Sequence, residues 1–259
     1  MSRSNPNVNA PNPAVRWFEW NGEHGTVRYY DKDTKKNIDL PSGFTFLLLD
    51  ELAGVGGWHN TSDSGIYSNA VRDTSKDVLV VKSFKGGPLA EGLYRSIKDR
   101  VAGEGGHFVA LCYVAAKVGD KLSICGLKFK GITLKAWMDF RKANRNALYQ
   151  EAVQIVGFEE GKKGRIVYRF PKFALKPVSP ETDADAVRLD QELQDWLEGY
   201  LQRKTRDQAE DETQDDDSDY DDTPAPGPDM SEPLTDDDIP FAWLLPFLPA
   251  ALAAHTFLA

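Results

Sequence analysis

The sequence predicts a mainly β body with one or two inserted helices, a C-terminal helix and an acidic tail. Three observations carry that prediction. Short aromatic and β-branched runs recur between Gly, Asn and Pro punctuation over about the first 178 residues. A leucine repeat at four-residue steps follows them. Beyond residue 206 the chain has many acids and no Lys or Arg. Strands at such short spacing fit a small barrel or a sandwich. Residues 14–178 are enough for one well-buried core.

Residues 1–13 are polar and rich in Asn and Pro, unlike a signal peptide, and are expected to form a disordered arm. Arg16-Trp17-Phe18-Glu19-Trp20 and Thr26-Val27-Arg28-Tyr29-Tyr30 are strand-like runs separated by a hairpin-like Asn21-Gly22-Glu23-His24-Gly25. Residues 44–49 read as a buried strand, and Gly54-Val55-Gly56-Gly57 permits a bend or bulge. Further strands are expected at 65–72, 78–84, 107–117, 121–130, 151–158 and 164–176, with helices at 88–101 and 133–143. Cys112 and Cys125 lie in apolar strand-like runs, as small buried hydrophobes in a reducing cytoplasm.

A helix is expected over 179–206. Ser179 can cap it, Pro180 suits its first turn, and Glu181, Asp183 and Asp185 favour its positive end. Leu189, Leu193, Leu197 and Leu201 form a stripe, with Trp196 and Tyr200 beside it, that packs on the barrel or on another subunit of a homo-oligomer.

Charge divides the chain sharply. Of its 40 acids fifteen lie between Asp207 and Asp238, so residues 1–206 hold 25 acids against all 31 bases. A body of +6 therefore carries a tail of −15, which suits a partner of polyanions that must limit its own non-specific binding.

Strand alternation locates a candidate binding surface for single-stranded nucleic acid. Arg28, Tyr30 and Lys32 share one face, Lys128 and Lys130 another, and Lys82 shares a face with Phe84. Lys172 follows Arg165 and Arg169 on a later strand. The stretch 56–69 reads as an exposed polar loop holding Trp58 and Tyr67 as stacking rings. Cations track phosphates and rings stack on unpaired bases.

The tail ends in Asp236-Asp237-Asp238-Ile239-Pro240-Phe241. This tip resembles that of bacterial and phage replicative single-stranded DNA-binding proteins, which recruits other replication and repair enzymes. Ile66-Tyr67-Ser68-Asn69 and the block from Gly126-Leu127-Lys128-Phe129-Lys130-Gly131 to Trp137 are similar to the phage members of that group. The resemblance implies an elaborated oligonucleotide-binding barrel at 14–178, an acidic linker at 207–235 and a partner-binding tip at 236–241. It also implies sequence-independent coating of single-stranded DNA in replication, recombination or repair, in the cytoplasm of a bacterial host if phage-encoded. In that group the tip's Phe ends the chain, whereas here an apolar extension, 242–259, follows Phe241. The extension could dock on the body, bind a partner or touch a membrane. Pro246 and Pro249 and the missing cationic flank argue against an anchor.

No enzyme, cofactor, small-molecule substrate or metal is expected. There is no phosphate-binding Gly-x-x-x-x-Gly-Lys-Ser/Thr loop or dinucleotide fingerprint, the four His are scattered, and the two Cys have no ligand partners nearby. Asp50 and Glu51 form a carboxylate pair whose ordinary reading is a hydrated strand end. Two other readings remain: an adaptor that binds protein partners through the arm, and a decoy that mimics duplex DNA.

Overall fold

The computed structural model describes residues 11–202, so the tip residues Asp236, Asp237, Asp238, Ile239, Pro240 and Phe241, the linker and the extension lie outside the described residues. The body is mainly β, with three helices, the last of them C-terminal to the sheet. In chain order the elements are β1 (Trp17–Asn21), β2 (Thr26–Asp31), β3 (Lys36–Asp39), β4 (Thr45–His59), β5 (Ser64–Ser68), β6 (Leu79–Ser83) and β7 (Gly87–Gly92). After these come α1 (Tyr94–Gly103), β8 (Gly106–Val118), β9 (Lys121–Lys130), α2 (Gly131–Ala143), β10 (Ala152–Lys163), β11 (Ile166–Lys176) and α3 (Pro180–Gln202).

The strands join in one sheet of order β3-β2-β1-β9-β8-β4-β5-β6-β7, with β10 branching from β4 and carrying β11. Among the described residues one pairing is parallel, β1 with β9, where Trp17 faces Gly126 and Glu19 faces Lys128. The closed barrel expected from the sequence does not form as a strand ladder. β4 is the reason at one side: its first residues pair with β10 and its last with β5, while β8 takes its other edge. At the other side β2 already occupies the edge of β1 that a closing strand would need. The sheet nevertheless curls until β11 meets the β1–β2 turn. The Trp20 indole donates to the Arg169 carbonyl at 2.8 Å, and the Arg169 amide donates to the Gly22 carbonyl at 3.0 Å.

Three apolar clusters follow from this curl. The main one fills the concave side with Phe18, Trp20, Phe46, Leu127, Phe129, Val153 and Ile155, plugged by Leu134 and Trp137 of α2. A second lies under the segment between β4 and β8, where Ile66, Leu79, Val81, Ile97 and Val101 pack on Val55. The third lies on the outward side, where Ala186, Leu189, Leu193 and Leu197 of α3 cover Leu52, Tyr113, Ala115 and Ile124. The leucine stripe is thus an intramolecular contact. Ser179 accepts the Thr182 amide at 3.2 Å and caps α3. Asp50 receives both guanidinium nitrogens of Arg72, at 2.9 and 2.7 Å, and the Gln194 amide at 3.1 Å, which ties α3 to β4.

Several local expectations are corrected. β4 keeps an unbroken register through Gly54-Val55-Gly56-Gly57, and its bulge falls between Leu48 and Asp50 instead. That bulge turns Leu49 outward to α3 and the Glu51 side chain inward. Gly87–Gly92 is an edge strand before the helix that was expected from residue 88, and Pro88 is at home there because an edge needs no donor. The stretch 56–69 is the β4–β5 hairpin, with 60–63 in its turn and Asn69 just past β5.

Candidate nucleic-acid interface

The cross-strand register assembles a surface that no single strand shows. Residues facing each other across neighbouring strands point to the same side of a sheet. Arg28 faces Glu19, Glu19 faces Lys128, and Lys128 faces Leu111. Two residues along, Lys130 faces Val109 and Val109 faces Gly54. Two further, His107 faces Gly56, Gly56 faces Tyr67, and Tyr67 faces Lys82. The intervening positions, Leu127, Phe129, Ile66 and Val81, point into the cores. Arg28, Lys128, Lys130, Tyr67 and Lys82 therefore share the outward side across seven strands, beside the part of that side covered by α3.

Each expected residue has a definite place. Arg28 is held by Glu19, its Nε donating to the carboxylate at 2.7 Å, so its charge is partly spent within the sheet. Tyr30 faces Asn37 of β3, and Lys32 is exposed in the turn that follows β2. Lys128 sits 5.0 Å from the centre of the Trp17 ring. Lys130 ends β9 at the start of α2, where the Thr133 hydroxyl donates to its carbonyl at 2.6 Å. Trp58 lies in β4, and its amide donates to the Gly105 carbonyl at 3.3 Å. It therefore stands on a strand and not on a loop. Tyr67 is half-buried between Gly56 and Lys82. Phe84 lies just past β6 with 59% of its surface exposed, the most open ring of the set. Lys172 is on β11, away from this band, and pairs with Glu159 at 3.1 Å.

The sequence reading missed Trp17. Phe18 and Trp20 enter the core, so Trp17 and Glu19 alternate outward. The Trp17 ring lies flat over Gly126, where any Cβ would run into it, and meets Tyr113 edge-on with centroids 5.7 Å apart. Tyr113 continues to Trp196 at 5.9 Å and Trp196 to Tyr200 at 5.0 Å, so a line of rings follows the seam between sheet and α3. The alternation rule applied to β2 would have found Trp17 had it been applied to β1.

Among the described residues no group of three or more His, Cys, Asp or Glu is placed to hold a metal ion, and no helix is long and apolar enough to cross a membrane. Burial pushes the Cys125 thiol up to about 12, and burial beside Glu51 raises Cys112 as well. Neither thiol is a nucleophile at neutral pH. No protein-family model matches the chain, and neither the curated proteins nor the solved structures compared with it yield a match.

Proposed function

We propose that this chain binds single-stranded DNA without sequence preference and protects it during replication, recombination or repair. The observation that carries the reading is the register-matched band of Arg28, Lys128, Lys130, Tyr67 and Lys82, flanked by Trp17 and Phe84. Cations interleaved with rings across one sheet face serve a strand whose phosphates and unstacked bases are both within reach. Such contacts carry little base information.

Within this reading β4, β8, β9, α2, β10 and β11 correspond to the five strands and the helix of an elaborated oligonucleotide-binding barrel. The outward side of β8 and β9 is then its binding side. Three features support that correspondence: a long first strand paired with both the second and the fourth, a helix between the third and fourth, and a parallel contact at the third. The β1–β3 meander stands where the third and fifth strands would otherwise meet. The acidic arm competes with DNA for the band, and the tip at 236–241 recruits partner proteins, as in the single-stranded DNA-binding proteins that the tip resembles.

Titration into labelled single-stranded and duplex oligonucleotides at several salt concentrations tests the proposal. Single strands should bind far more tightly, and log affinity should fall linearly with log salt at about 0.7 per neutralised phosphate. A flat salt response, or no binding to single strands, sinks it.

A further inference from the structure

We propose that the outer end of the β10–β11 ribbon contacts double-stranded nucleic acid, so that the protein favours the boundary between a single strand and a duplex. The boundary preference rests on the single-strand reading above; the duplex contact does not. β10 leaves β4 after Gln154 and thereafter pairs with β11, from Gly157 facing Lys172 to Lys163 facing Ile166. Those register pairs carry the ribbon about 20 Å, at roughly 3.3 Å per residue. The ribbon is braced midway, at the Glu160–Arg169 pair, by the β1–β2 turn: Arg169 exchanges the backbone bonds already described, donates to the Glu23 carbonyl and stacks over Phe158 at 5.2 Å. Three register pairs extend beyond that brace.

The tip is chemically simple. Lys162-Lys163-Gly164-Arg165 places three cations in four residues, and no acid occurs between Glu160 and the end of β11. Gly164 holds φ +61° in the two-residue turn, a conformation that frees the flanking strands to stay paired to the end. Lys162 and Arg165 are exposed, and Val167 keeps 51% of its surface open.

What the tip lacks decides the partner. Tyr168 lies across Gly161, where a Cβ would collide with the ring, and Phe170 sits against Tyr168 at 6.5 Å. The ribbon's nearest rings are thus turned onto the ribbon, and the tip offers charge without a ring directed at a base. A single strand is held by stacking as well as charge. A duplex presents about one phosphate per 1.7 Å of axis, and its major groove, about 12 Å wide, admits a two-stranded ribbon.

The test compares three probes with the full-length chain: a single strand of about 20 nucleotides, a duplex, and the same single strand joined to a short duplex. At moderate salt the joined probe should bind about tenfold more tightly than the single strand, as a few added phosphate contacts require. Lys162→Gln with Arg165→Gln should abolish that preference and weaken duplex binding, with single-strand affinity and thermal midpoint unchanged. Lys162→Arg with Arg165→Lys should keep the preference. Equal wild-type affinity for the joined probe and the single strand overturns the proposal. Equal loss on all probes in the Gln variant also overturns it, because the tip then belongs to the single-strand site. Ribbon-dependent duplex binding with no single-strand binding supports the duplex contact while defeating the reading it extends.

Discussion

The Glu51 carboxylate of β4 accepts the indole N–H of Trp137 of α2 at 2.9 Å, inside the main core. The same carboxylate pairs with the Arg141 guanidinium and faces the Cys112 thiol at 3.8 Å. A charged pair in the concave interior is tolerable because each partner neutralises the other and the indole takes a further lone pair. Glu51→Ala should therefore cost about 3–5 kcal/mol, since it strands Arg141 in a largely buried site. Adding Arg141→Met should recover much of that loss. Denaturant unfolding of the three proteins measures both numbers, and a loss under about 1 kcal/mol for the single variant contradicts the assignment.

On the outward band, Lys128→Ala should weaken single-strand binding and lower the salt slope by about 0.7, one phosphate's share. Trp17→Ala should cost about 1–3 kcal/mol of binding with the slope unchanged, as expected for a lost stacking surface. If the Trp17 variant changes the slope and the Lys128 variant does not, the roles are misassigned.

Truncation after Arg206 removes fifteen acids and leaves a body of +6. DNA binding should tighten, most at low salt where screening is weakest. Unchanged affinity at low salt would show that the arm does not compete for the band.

The half-buried Asp190 carboxyl is held above its usual range, chiefly by burial and also by the nearby Asp50 charge, against the opposing Gln194 hydrogen bond. The folded state thus binds this proton more tightly than the unfolded chain does. Its stabilising effect is full below the ordinary carboxylate pKa of 3.8 and is lost as pH rises through the elevated folded value. Asp190→Asn keeps an acceptor for Gln194 and carries no charge, so it should be more stable than wild type at pH 7. The advantage should vanish near pH 3. A thermal midpoint difference independent of pH contradicts this account.

How far these features could be read in advance depended on their range. The β8–β9 hairpin and α3 were legible because alternation and the leucine step are local signals, as at Cys125, Leu127 and Phe129 against Lys128 and Lys130. The bulge at Leu48/Asp50 was not, because Gly54, Gly56 and Gly57 offered a more obvious place for irregularity. The strand set by Leu52, Ala53 and Val55 against β8 overrode that local freedom. Glu51 read as a hydrated strand end, since only the bulge reveals that it points at Trp137. The band itself needed the register of seven strands, and β1 beside β9 is a pairing that no hairpin rule predicts.

That parallel pairing also sets an order of events at the ribosome. Trp17 meets Gly126 and Glu19 meets Lys128 across more than a hundred residues of chain. At about 5–20 residues per second, β1 emerges roughly 5–20 s before its partner strand has been made. For that interval Phe18 and Trp20 have only Tyr29 and Val27 of the meander beside them, and their remaining cover comes from β4, β9 and β11. The first strands synthesised are thus among the last to be sealed, since β11 ends only at Lys176.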